Sequence, residues 1–87
     1  MKVEYTKRFL KDLSKISFKK RKVIEQLVFE KLPKVELLRT VPNVKKLSID
    51  PFYRIRVGDY RIGLEKHGDH IVLKRVLNRN EIYKYFP

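Results

Sequence analysis

The stretch YRIRVGDYRIGLE at residues 53–65 constrains the fold of this chain more than any other. Two alternating runs flank Gly58-Asp59, and a tight two-residue loop between strands needs the positive φ that glycine adopts without strain. With the loop fixed there, Val57 pairs with Tyr60, Arg56 with Arg61, Ile55 with Ile62 and Arg54 with Gly63. Side chains alternate between faces along a strand, and directly opposed residues share a face. Arg54, Arg56 and Arg61 therefore stand on one side of the hairpin, and Ile55, Val57, Tyr60 and Ile62 on the other. Like charges set opposite each other destabilise a sheet. An arrangement that opposes Arg56 to Arg61 invites an anion, and a phosphate is its natural occupant.

The charge of the whole chain points the same way. Lys and Arg number 22 against 10 Asp and Glu, a formal charge of +12 on 87 residues. So large an excess on so small a chain implies a polyanionic partner, with nucleic acid the leading candidate. Eleven of 14 lysines precede residue 50, whereas five of eight arginines follow it. Lysine on helices commonly marks a solvated face; arginine on strands more often recognises an anion geometrically. The chemistry is expected in the second half. The length sets one domain, residues 1–87, with a modest core. No segment is long and apolar enough to span a membrane, and the start MKVEYTKRF lacks a signal peptide's apolar run, so the expected location is cytoplasmic. Cysteine is absent, which excludes disulfides and thiolate metal sites.

Periodicity predicts an α+β domain. Residues 2–5 alternate and form a short strand with Val3 and Tyr5 inward; Thr6 then serves as an N-cap. Phe9, Leu10, Leu13 and Ile16 make one helical stripe. Ser17 is a second N-cap, and Val23, Ile24, Leu27, Val28 and Leu32 give a longer amphipathic helix that Pro33 ends. So short a separation makes the pair a helical hairpin. Residues 34–51 read as a connection punctuated by Pro42 and Pro51, with Val44 and Leu47 as anchors. Strands follow at 52–57, 60–66 and 70–77, then a short helix within 78–86. The two-helix hairpin is expected to cover one face of an antiparallel sheet and leave the other, basic face open.

The candidate catalytic residues are Arg54, Arg61, Arg79 and Tyr83, with Arg56, Lys74 and Arg75 as candidate RNA contacts; Lys74 and Arg75, adjacent on one strand, do not share a face. Arg79 and Tyr83 are four apart and share one side of a terminal helical turn. Cleaving an RNA phosphodiester needs a base for the 2′-hydroxyl, cations for charge on the phosphorane oxygens, and an acid or cation for the departing 5′-oxygen. Arginine does the second task well and proton transfer poorly, because its pKa lies above about 12. Tyr83 is the one group in the set suited to move a proton. Structural alternatives stand beside each role. Arg56 can pair with Asp59 or Asp50, Arg75 can serve an ion pair, and Tyr83 can pack at a helix rim. Glu65 shares a strand face with Arg61, so an ion pair is its default reading. His67 and His70 flank a Gly-Asp turn without further ligands nearby, and they read as exposed turn residues rather than a metal site. No glycine-rich phosphate loop exists among three glycines.

The whole chain resembles the RelE/ParE superfamily of toxins from toxin–antitoxin pairs. YRIRVGDYRIGLE at 53–65 is similar to the family's Y-R-I-R-x-G-x-Y-R signature, and RVLNRNEIYKYF at 75–86 resembles its closing strand and terminal tyrosine motif. The resemblance implies a RelE-like fold and a ribosome-dependent endoribonuclease that cuts messenger RNA in the A site by 2′-hydroxyl attack, without metal or cofactor. It implies two partners, a cognate antitoxin and the ribosome with message in its A site. It places Arg54 and Arg56 by the scissile region, Arg61 on the transition-state phosphate, and Arg79 and Tyr83 in the closing motif. Some relatives carry lysine where this chain has Arg54 and Arg56, and histidine where it has Asn78. The alternatives are a ParE-type gyrase inhibitor and a non-catalytic basic RNA-binding module.

Overall fold

The computed structural model describes all 87 residues, Met1–Pro87. Strand β1 (Lys2–Tyr5) leads to helix α1 (Lys7–Ser14) and helix α2 (Phe18–Glu25). Then come β2 (Val44–Lys46), β3 (Phe52–Val57), β4 (Tyr60–His67), β5 (His70–Asn78) and the short helix α3 (Ile82–Tyr85). The five strands form one sheet in the order β1-β5-β4-β3-β2. Two features depart from expectation. β1 runs parallel to β5, so the sheet is mixed rather than antiparallel. The connection at 34–51 contributes a strand of its own, β2, antiparallel to β3 at the sheet edge.

Local chemistry accounts for the helices. Thr6 caps α1, its hydroxyl accepting from the Phe9 N–H at 3.0 Å. Phe9, Leu13 and Ile16 are buried, whereas Leu10 is 43% exposed and falls outside the stripe. Ser17 precedes α2 but makes no side-chain cap. Beyond Glu25 the helix widens into a π-helical turn over Gln26–Lys31, in which the Leu32 N–H reaches back to the Leu27 carbonyl. That leaves the Val28 carbonyl without Leu32, and Pro33 has no N–H to offer. The Tyr5 hydroxyl fills the gap, donating to the Val28 carbonyl at 2.6 Å. Burial pushes the Tyr5 phenol above its ordinary pKa.

The main core lies between the helices and one sheet face, where Phe9, Leu13, Ile24, Val28 and Leu32 meet Ile55, Ile62, Leu64, Ile71, Leu73 and Val76. Leu38 and Val41 anchor the connection, more deeply than the half-buried Val44 and Leu47. The second face is not open. Ile82 and Phe86 are buried there, apart from the main cluster. Phe86 packs edge-to-face on Phe52 at 5.4 Å, over Gly63. A side chain at Gly63 would occupy the space of that ring, its Cβ 2.5 Å from Phe86 Cγ. The terminal segment thus clamps α3 across the arginine-bearing face.

Candidate active site

The hairpin register is the expected one: Val57 opposes Tyr60, Arg56 opposes Arg61, Ile55 opposes Ile62 and Arg54 opposes Gly63. Gly58, at φ 58°, makes the turn. Arg54, Arg56 and Arg61 share one face, and Tyr83 of α3 joins them around a hollow of about 280 Å³. Each guanidinium is held without a carboxylate. Arg61 Nη1 donates to the turn carbonyls of Gly58 (2.9 Å) and Tyr60 (3.0 Å), leaving Nε and Nη2 for an anion. Arg56 Nη2 donates to Asn43 Oδ1 at 3.0 Å, so it pairs with neither Asp59 nor Asp50. Asp50 instead lies 3.9 Å from Lys46. The Arg54 guanidinium carbon sits 4.7 Å from the centre of the Tyr83 ring.

Two residues that sequence reasoning missed complete the hollow. Asn43 holds Arg56 twice, through its side chain and through its carbonyl, which accepts the Arg56 N–H at 3.1 Å. Its φ of 66° is one that asparagine tolerates better than most residues. Lys45 stands opposite Arg54 in the β2–β3 register and lines the same space. Lys45 lies in β2 and Asn43 immediately before it, and the single apolar residue and three-residue length of β2 carry no strand signal. A second hollow of about 640 Å³ adjoins the first, sharing Lys45, Arg54 and Tyr83 and floored by Leu47, Ile49, Phe86 and Pro87. No Asp or Glu side chain lines either space.

The remaining candidates lie elsewhere. Arg79 is exposed and does not line the hollow. The four-residue spacing to Tyr83 fails because α3 begins only at Ile82, and Arg79 belongs to the turn before it. Its N–H donates to the Asp59 carbonyl at 2.8 Å, tying that turn to the hairpin tip. Arg75 takes its ion-pair alternative: Nε and Nη2 donate to Asp12 at 2.7 and 3.2 Å, which raises the guanidinium pKa further. Asp12 also accepts the Val76 N–H at 3.2 Å, just past the point where β1 stops pairing with β5. Lys74 is the extra residue of a bulge, since Gly63 opposes Arg75 while Leu64 opposes Leu73. Its Nζ lies 3.3 Å from Glu65. Glu65 therefore pairs with Lys74 and with His67 (3.1 Å), not with Arg61. The hydrogen bond from His67, then that from Lys74, holds the Glu65 carboxyl below its ordinary range. His70 lies 3.8 Å from Glu4.

The chain is a small basic α+β domain, a mixed sheet with two helices on one face, and known proteins share that fold. Residues 3–83 match the family described as "ParE toxin of type II toxin-antitoxin system, parDE". The chain is 43% identical to Toxin RelE3 of Methanocaldococcus jannaschii over all of both sequences. It is similar to the toxin of the RelB–RelE antitoxin–toxin complex from Methanococcus jannaschii, with 41% identity, a TM-score of 0.80, and 97% of this chain and 99% of that one covered. The RelBE2 complex of Mycobacterium tuberculosis has the same fold, at a TM-score of 0.72 and 24% identity over 90% of this chain and 96% of that one. The chain belongs to the RelE/ParE family of type II toxin–antitoxin toxins.

Proposed function

We propose that this toxin is a ribosome-dependent endoribonuclease that cuts messenger RNA in the A site by attack of the 2′-hydroxyl on the adjacent phosphate, and so blocks translation. One observation carries the reading. Three guanidiniums and a phenol face a common hollow in which no carboxylate neutralises them. Arg61, pinned by the turn, presents its remaining donors to the non-bridging phosphate oxygens. Arg54 supports the stack of Tyr83, whose oxygen takes the 2′-proton. Such preorganised charge stabilises a phosphorane without reorganising at the moment of reaction. Carboxylates, the ligands that Mg²⁺ usually takes, are missing from the lining, which favours chemistry without metal. The apolar floor of the second hollow suits the base of a neighbouring nucleotide.

Exposed lysines on the helices contact ribosomal RNA, and such phosphate contacts weaken steeply with salt. Arg79 and Lys74, outside the hollow, belong to this wider RNA surface; Arg75 is committed to Asp12 and supports the site structurally. A cognate antitoxin is the regulatory partner, an inference supported by the likeness to a toxin described in complex with its antitoxin.

Primer extension on messages translated in vitro tests the reading. The expected result is cleavage within the A-site codon, with Arg61→Ala slower by about 100-fold or more. The family description names ParE, so gyrase supercoiling is measured alongside. Blocked supercoiling without RNA cuts would replace the nuclease by a gyrase inhibitor, and neither effect would leave a basic RNA-binding module.

A further inference from the structure

We propose that Lys45 is the general acid that protonates the departing 5′-oxygen; the proposal rests on the nuclease reading above and supplies what the arginines of the hollow cannot. In-line displacement sets the attacking 2′-oxygen and the leaving 5′-oxygen on opposite sides of phosphorus, so one group cannot serve both in a single step. Tyr83 is one candidate for moving a proton. Arg54, Arg56 and Arg61 are not, because a guanidinium keeps its proton. Lys45 is the only amine lining the hollow.

Its placement fits the task. Lys45 lies opposite Arg54 in the β2–β3 register, while Tyr83 reaches Arg54 from α3. The two proton-transfer groups therefore border the same guanidinium from different elements. Both also line the adjoining hollow. Lys45 makes no ion pair, although the next residue, Lys46, lies 3.9 Å from Asp50, and Lys74 lies 3.3 Å from Glu65. A phosphodiester in the hollow would give the Lys45 ammonium and the three guanidiniums a shared counter-charge.

The step balances. The 2′-oxygen–phosphorus bond forms and its proton passes to the deprotonated Tyr83 oxygen. The phosphorus–5′-oxygen bond breaks, and that oxygen takes a proton from the Lys45 ammonium. The products are a 2′,3′-cyclic phosphate and a 5′-hydroxyl, and exchange with water restores both side chains.

The test compares two ribosome-bound messages under single-turnover conditions, one unmodified and one with sulfur in place of the 5′-oxygen at the cleaved bond. A thiolate leaves without needing a proton. Lys45→Ala and Lys45→Arg are both expected to slow the oxygen message by about 100-fold or more, yet to cut the sulfur message within about threefold of the unsubstituted rate. Lys45 is exposed on an edge strand, so neither change threatens the fold. Equal slowing on both messages would assign Lys45 to binding and overturn the proposal, as would no slowing on either or full activity in Lys45→Arg. If the unsubstituted chain cuts neither message, the nuclease reading itself fails and takes the proposal with it.

Discussion

The guanidinium of Arg54 lies over the ring of Tyr83, 4.7 Å from its centre, and so joins the arginine strand to the terminal helix. Tyr83 is 68% exposed, so this contact rather than burial orients the ring. A cation–π contact at such a site contributes about 0.5–1 kcal/mol. Tyr83→Phe keeps the contact and loses the hydroxyl; Tyr83→Leu loses both. If the oxygen moves a proton, both variants should lose about 100-fold or more in single-turnover cleavage, with Tyr83→Phe nearly as slow as Tyr83→Leu. A Tyr83→Phe variant at full rate would reduce the residue to a stacking platform.

Gly63 decides whether that helix can sit where it does. With no Cβ, it lets the Phe86 ring lie on the sheet, where an alanine Cβ would meet three ring carbons at 2.5–2.7 Å. Phe86 is only 6% exposed and cannot swing away without leaving Phe52. Gly63→Ala should destabilise the fold by about 1–3 kcal/mol in chemical denaturation. It should also slow cleavage, because Tyr83 travels with α3. Adding Phe86→Ala, which removes the three ring carbons at the clash, should leave the double variant less destabilised than the sum of the two single changes.

Whether a feature was legible in the sequence depended on how many residues encode it. The hairpin was legible because glycine at 58 and six alternating positions on either side all specify one register. The placement of Arg54, Arg56 and Arg61 on one face followed from it. The partner of β1 was not legible, since alternation encodes a face and not a neighbour. β2 escaped notice because Val44-Lys45-Lys46 offers one apolar side chain, and Asn43 and Lys45 were lost with it. Arg79 was placed by assuming a helix that starts at the end of β5; the turn at Asn80–Glu81 intervenes. Asp12 carried an unread signal. It stands three residues after Phe9 and four before Ile16, inside the buried stripe.

Asp12 is 7% exposed and meets three donors, two from Arg75 and one from the Val76 backbone. Removing one partner of a buried pair strands the other, at a cost of about 3–5 kcal/mol. Asp12→Ala should lose stability in that range, because it strips both Arg75 and an N–H at the free edge of β5. Arg75→Met leaves the carboxylate unpaired and should fall in the same range. The double variant should be less destabilised than the sum, a coupling read by denaturant titration. Arg75→Met assayed well below its unfolding midpoint should retain RNA cleavage, which separates the ion pair from direct RNA contact.

Glu65 sets an acid limit on stability that can be worked out from its neighbours. The hydrogen bond from His67 is the main cause of its lowered pKa, with Lys74 assisting against partial burial. The folded state therefore favours the ionised carboxylate, and the unfolded state binds the proton more readily. Its contribution is fully present above the unfolded carboxylate value of about 4.3 and is lost as pH falls through the lower folded value. Glu65→Gln should be less stable than the parent at neutral pH, and the gap should close between about pH 5 and pH 3. His67→Ala should narrow the same gap from the parent's side, since it removes the leading cause of the shift. Thermal melts of the three proteins across that range check the sign, and a gap that widened on acidification would contradict it.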